Sequence, residues 1–175
     1  VLSTTWLPYE DVRTLKGIEE VVERYYNSLQ FESSLRYLVE QEQDAFAFFE
    51  KLALFFTQNG YFNVKQSRMQ NYEILYAFAK KEQRNVDIVK ELLIYDLYAR
   101  ENVKKEPDFL ENRMLTEEKK EKIRAFYQSE EQREKYLPDY PDYNWKQVMR
   151  MTHMEWFSYD YEHLNIKEVY NEYDE

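Results

Sequence analysis

Apolar residues recur at three- and four-residue steps through most of the first hundred positions, the spacing that lines one face of an α-helix. Leu15, Ile18, Val22, Tyr25 and Leu29 predict one such face on a helix running from Thr14. Ahead of it, Pro8 suits the first position of a helical turn, with Glu10 and Asp11 near the positive end of its dipole. Ser33 and Ser34 read as N-caps of a short helix carrying Leu35, Leu38 and Val39. Asp44 can cap a third helix whose Phe46, Phe48, Phe49, Leu52, Ala53, Phe55 and Phe56 cover most of its circumference, so the pattern predicts a central helix surrounded by others. Asn59-Gly60 closes it, since glycine accepts the left-handed conformation at a helix C-terminus. Ser67 with Gln70 forms a capping-box pattern ahead of Tyr72, Leu75, Tyr76 and Ala79, and a fifth helix from near Asn85 carries Val89, Leu92, Leu93 and Leu97.

The pattern changes after residue 100. Between Glu101 and Tyr136 there are ten acidic and nine basic residues with few large apolar ones, so helices there, notably one from Thr116, are expected to be mostly solvated. Leu137-Pro138-Asp139-Tyr140-Pro141-Asp142 reads as a turn-rich connector, because proline cannot continue a helix. Residues 101–145 are thus expected to form outer helices and a connector. Thr152 to Tyr161 interleaves small or polar with aromatic positions, which predicts a short β segment within residues 146–175. The expected fold is mainly α, a single helical domain over 1–175 built as a bundle of about five to seven helices with that β segment near the C-terminus.

Composition narrows the chemistry. The absence of cysteine excludes disulfides, thiolate zinc sites, cysteine nucleophiles and any iron–sulfur cluster bound by these residues. Gly17 and Gly60 are the two glycines, too few for a Rossmann fingerprint or a P-loop. A net charge of −10 opposes nucleic acid and anionic membrane surfaces, and no apolar run approaches the roughly 20 residues of a membrane span. The chain reads as cytoplasmic. From Glu155 to Glu175 seven acids face one lysine, so the acidity is concentrated in a terminal tail. Opening at Val1 in mid-pattern, the sequence is expected to be the C-terminal piece of a longer protein.

Few residues qualify as chemical candidates. Asp96 falls on the apolar face of the fifth helix, where a desolvated carboxylate needs a partner. Arg100, one turn on, or a tyrosine hydroxyl is the expected partner, the reading being a structural ion pair that fixes packing, with a docking or catalytic carboxylate as the sharper alternative. His153 and Glu155, two apart, would share one face of a strand and are read as a structural pair at a sheet edge and not as a metal site, a shared proton or metal being the weaker alternative. Trp145, Trp156 and the nearby tyrosines would mark a docking surface, seventeen tyrosines being many for this length. No catalytic, cofactor-binding or metal-binding residue is assigned.

Seven segments carry a resemblance. They are Leu7-Pro8-Tyr9-Glu10, Leu15-Lys16-Gly17-Ile18-Glu19, Tyr25-Tyr26-Asn27-Ser28 with Phe31, Phe48-Phe49-Glu50-Lys51-Leu52, Tyr72-Glu73-Ile74-Leu75, Leu92-Leu93-Ile94-Tyr95-Asp96 and His153-Met154-Glu155-Trp156-Phe157. In order and spacing they resemble the helical domain found C-terminal to cobalamin-binding and radical-SAM domains, domain of unknown function 4080. The resemblance implies a parent enzyme with a four-iron cluster, S-adenosylmethionine and cobalamin, all held outside this cysteine-free segment. It further implies a noncatalytic accessory role, packing on or capping the catalytic barrel or docking a partner, with the preceding domains of the same chain as partners. Two other readings compete: a free-standing acidic helical module that recognises a protein, and a small metal-dependent hydrolase using His153, Glu155 and His163.

Overall fold

A computed structural model describes residues 8–100, 103, 107–110 and 116–157. These divide into two compact units, one of residues 8–100 and one within residues 101–158. Eight α-helices are present among the described residues: α1 Tyr9–Val22, α2 Glu32–Glu40, α3 Ala45–Gln58, α4 Arg68–Lys81, α5 Val86–Tyr98, α6 Glu117–Gln128, α7 Glu130–Tyr136 and α8 Trp145–Met151. The fold is mainly α, a helical bundle, and among the described residues no helix is long and apolar enough to cross a membrane.

The first unit holds α1 to α5. α3 packs against α1 and α2, while α5 packs against α2 and α4. The caps follow the local sequence closely. Asp44 accepts from the Ala47 amide at 2.8 Å, Asn85 from Asp87 and Ile88, and Ser67 with Gln70 closes a full capping box. Gly60 takes the left-handed conformation, φ 69°, that ends the α3 region. The core is a run of touching rings: Phe31 lies 4.9 Å from Tyr25 and 4.5 Å from Tyr72, and Phe48 and Phe55 both meet Phe78 edge-on. α3 is less enclosed than its composition predicts, because Phe46 and Leu54 stay exposed.

At Val22 α1 passes directly into a π-helical turn, Glu23–Asn27. That wider turn inserts a residue into the helical repeat, so the apolar face does not continue past it. Ile18, Val21 and Tyr25 are buried, whereas Leu15 and Leu29 point outward, contrary to the regular spacing. Leu29 itself has φ 56°, a left-handed conformation that turns the chain toward α2.

The second unit pairs α6 with α7 and α8. Tyr127 of α6 is buried, and its hydroxyl lies 2.8 Å from the Thr152 hydroxyl beyond the end of α8. Buried Val148 completes this small core. The predicted β segment is corrected here. Residues 148–151 are helical, and Thr152 to Phe157 follow without regular structure; Ser158 to Tyr161 lie outside the described residues. A strand needs a partner ladder, and no other strand is present among the described residues to supply one. The local polar groups are satisfied differently, by the Thr152 amide donating to the Val148 carbonyl and the Trp156 amide donating to the Glu155 carboxylate.

Candidate functional site

The buried carboxylate singled out by the sequence lies at the start of α2. Asp96 accepts from the Ser33 amide at 2.9 Å through Oδ1, and through Oδ2 from the Ser34 amide at 2.9 Å and the Ser34 hydroxyl at 2.6 Å. Asp96 thereby caps a helix whose own N-cap residue, Phe31, has no polar side chain. Two expectations change accordingly. Ser33 and Ser34 are not N-caps but the capped first turn, and the Asp96 partner is not Arg100. Arg100 instead donates to the backbone carbonyl of Leu29. Burial pushes the Asp96 carboxyl up from its ordinary range, with the hydrogen bonds from Ser34 and Ser33 opposing it.

The connector between the π turn and α2 is therefore gripped from several sides. Arg100 holds Leu29, the Tyr72 hydroxyl donates to the Gln30 carbonyl at 3.0 Å, and Phe31 is fully buried between Tyr25 and Tyr72. Burial pushes Tyr72 up to about 12 and Tyr25 up as well, so both phenols stay protonated. Each works as a donor, Tyr25 to the Asn71 carbonyl at 3.1 Å, and neither is suited to act as a base.

This rigid connector forms one wall of a groove of about 500 Å³. Tyr26 and Leu29 stand on the π-turn side, Leu35, Arg36 and Val39 on α2, and Phe49 on α3. Its lining is mainly apolar, with Asn27, Glu32 and Arg36 as polar groups. Tyr26 and Leu29 are each 60% exposed, a large apolar display beside a preformed concavity. Such a site can bind by burying apolar surface, and it contains no nucleophile–base pair of the kind that chemistry requires.

The other candidates fall in the second unit. His153 Nε2 lies 3.1 Å from Glu155 Oε2, so the two side chains do meet, on an irregular segment after α8 and not on a strand. His163 lies outside the described residues, and no group of three His, Asp or Glu side chains is placed to hold a metal among the described residues. Trp156 is half-buried, with the Lys119 ammonium 5.8 Å from its ring. Lacking cysteine, these residues offer no thiolate ligand to an iron–sulfur cluster.

Sequence reasoning passed over Glu42. Its side chain, only 6% exposed, holds Lys51 at 2.6 Å and also Arg84, joining the α2–α3 loop to the turn before α5. Those cations lie nine and forty-two residues away, at no periodic spacing that could have announced them.

The family model described as "Protein of unknown function (DUF4080)" matches residues 1–174. No curated protein and no solved structure matches the chain.

Proposed function

The chain belongs to the DUF4080 family of proteins of unknown function, and from that premise we propose that it is a noncatalytic accessory domain docking another protein segment through the groove beside the π turn. The segment it receives belongs to the radical-SAM barrel or cobalamin-binding portion of the same parent enzyme, as the resemblance of its packing motifs implies. On this reading the parent carries the iron–sulfur and S-adenosylmethionine chemistry, and these residues hold or cap the barrel.

The observation that carries the proposal is the pairing of exposed Tyr26 and Leu29 with a groove whose walls are already fixed by Asp96, Arg100 and Tyr72. A preorganised apolar surface loses little conformational freedom on binding, so modest buried area still yields association. Hydrogen exchange tests it. In the intact parent, backbone amides from Tyr25 to Val39 are expected to exchange more slowly than in the 175-residue chain alone; equal rates would remove the proposal.

A second reading, a free-standing acidic helical interaction module, draws on the net charge of −10 and the seventeen tyrosines. It expects the same protection only when a separate protein is added.

A further inference from the structure

The second unit holds a concavity of about 300 Å³ between α7 and the proline-containing connector that follows it. Glu130, Arg133 and Glu134, which share one face of α7, line it together with Tyr140 and Tyr143 of the connector. The two phenol rings stand 6.3 Å apart at 64°, a corner with two aromatic walls. Its backbone is held in place. The Tyr140 amide donates to the Leu137 carbonyl at 3.2 Å and the Tyr143 amide to the Tyr140 carbonyl at 3.4 Å, while Pro138 and Pro141, which also line the concavity, fix φ at their positions.

Charge and ring chemistry both select a cation. Residues 130–143 carry five acids and two bases, an excess of three negative charges. Of the bases, the Arg133 guanidinium donates to the Tyr127 carbonyl and the Lys135 ammonium lies 4.8 Å from the Tyr136 ring. Glu130 and Glu134 stand one turn apart, a spacing at which like charges oppose helix formation, so a cation beside them stabilises α7. A phenol ring attracts an ammonium group to its face within about 6 Å of the centroid, which the corner of Tyr140 and Tyr143 offers twice.

We propose that this concavity binds a linear aliphatic diamine, two ammonium groups joined by a short methylene stem. Side chains at i and i+4 leave the helix from Cβ atoms about 5–6 Å apart, a distance that a stem of about four methylenes spans. Each ammonium brings three donors for the Glu130 and Glu134 oxygens, and the stem packs on the tyrosine and proline rings. A metal dication would meet the carboxylates alone, because it takes oxygen ligands and leaves the aromatic walls unused. A lysine side chain supplies one ammonium and leaves the second carboxylate without a counter-charge.

Calorimetric titration of the 175-residue chain with putrescine tests the assignment. One saturable site is expected, with Kd below about 1 mM at low salt and weaker binding as salt screens the charges. The Glu130→Gln/Glu134→Gln double variant should bind about tenfold more weakly and Tyr143→Leu about two- to fivefold more weakly, each with the helical circular dichroism of the wild type. The Nα-acetyl amide of lysine should bind more weakly than putrescine, and an equal concentration of magnesium should leave putrescine bound. Absence of saturation, or unchanged affinity in either variant, would overturn the proposal. So would equal affinity for the lysine derivative, or displacement of putrescine by that magnesium.

Discussion

Asp96 on α5 holds Ser34 at the start of α2 twice, its Oδ2 lying 2.6 Å from the hydroxyl and 2.9 Å from the amide. A helix N-terminus is thus capped by a residue 62 positions away in sequence. Because α2 forms a wall of the groove, this contact ties the shape of the proposed docking site to the packing of α5 on α2.

Asp96→Ala is expected to destabilise the first unit by about 3 kcal/mol, combining a lost cap with buried Ser34 groups left unpaired. Asp96→Asn, which keeps one acceptor but sets an amide N–H against a donor, should cost about 1–2 kcal/mol. Urea unfolding of both variants checks the order; equal stability of wild type and Asp96→Ala would contradict it.

Asp96 also sets a pH dependence. Its folded-state pKa is raised above the unfolded value of 3.8, so between those two values the native state binds more protons than the unfolded state. Its contribution is therefore fully present below pH 3.8 and is lost as pH rises through the raised value. Subtracting the stability–pH profile of Asp96→Asn from that of wild type should isolate this falling component. A difference that rises with pH over the same window would show that the hydrogen bonds from Ser33 and Ser34 outweigh desolvation.

Leu29 separates stability from binding. A leucine in the left-handed conformation is strained by about 1 kcal/mol, so Leu29→Gly should leave stability unchanged or raise it by up to about 1 kcal/mol, even with glycine's larger unfolded-state entropy. The same change removes an exposed apolar contact from the groove and should weaken docking. Thermal unfolding and the hydrogen-exchange comparison, run together, test both halves.

Glu42 links two loops through Lys51 and Arg84. Glu42→Gln is expected to lower stability by about 1–2 kcal/mol, since the carboxylate is buried while Lys51 is half open to solvent. A double-mutant cycle with Arg84→Ala should return a coupling of about 1 kcal/mol; additive effects would assign the loss to packing.

Local chemistry was legible in the sequence. Asp44, Asn85, Thr116 and the Ser67–Gln70 box each cap the helix that follows, because a cap depends on residues two or three positions away. What failed was whatever depended on a register change or on distance. The π turn at Glu23–Asn27 displaced Leu29 from the apolar face that regular spacing assigned to it. Asp96 was conspicuous as a carboxylate on an apolar face, yet its partners on α2 are 62 and 63 residues away, beyond any periodic reading. The alternation from Thr152 resembled a strand because aromatic content favours one, but an irregular segment held by side-chain hydrogen bonds follows α8 as far as Phe157.

Photo-crosslinking from the groove reads out whether another part of the parent protein docks there. With a benzophenone amino acid at Val39 in the intact parent protein, crosslinks are expected within the same polypeptide, to the barrel or cobalamin-binding portion, and few from a control at exposed Glu50. Crosslinking at Val39 no greater than at Glu50, or crosslinks solely to a separate protein, would contradict it.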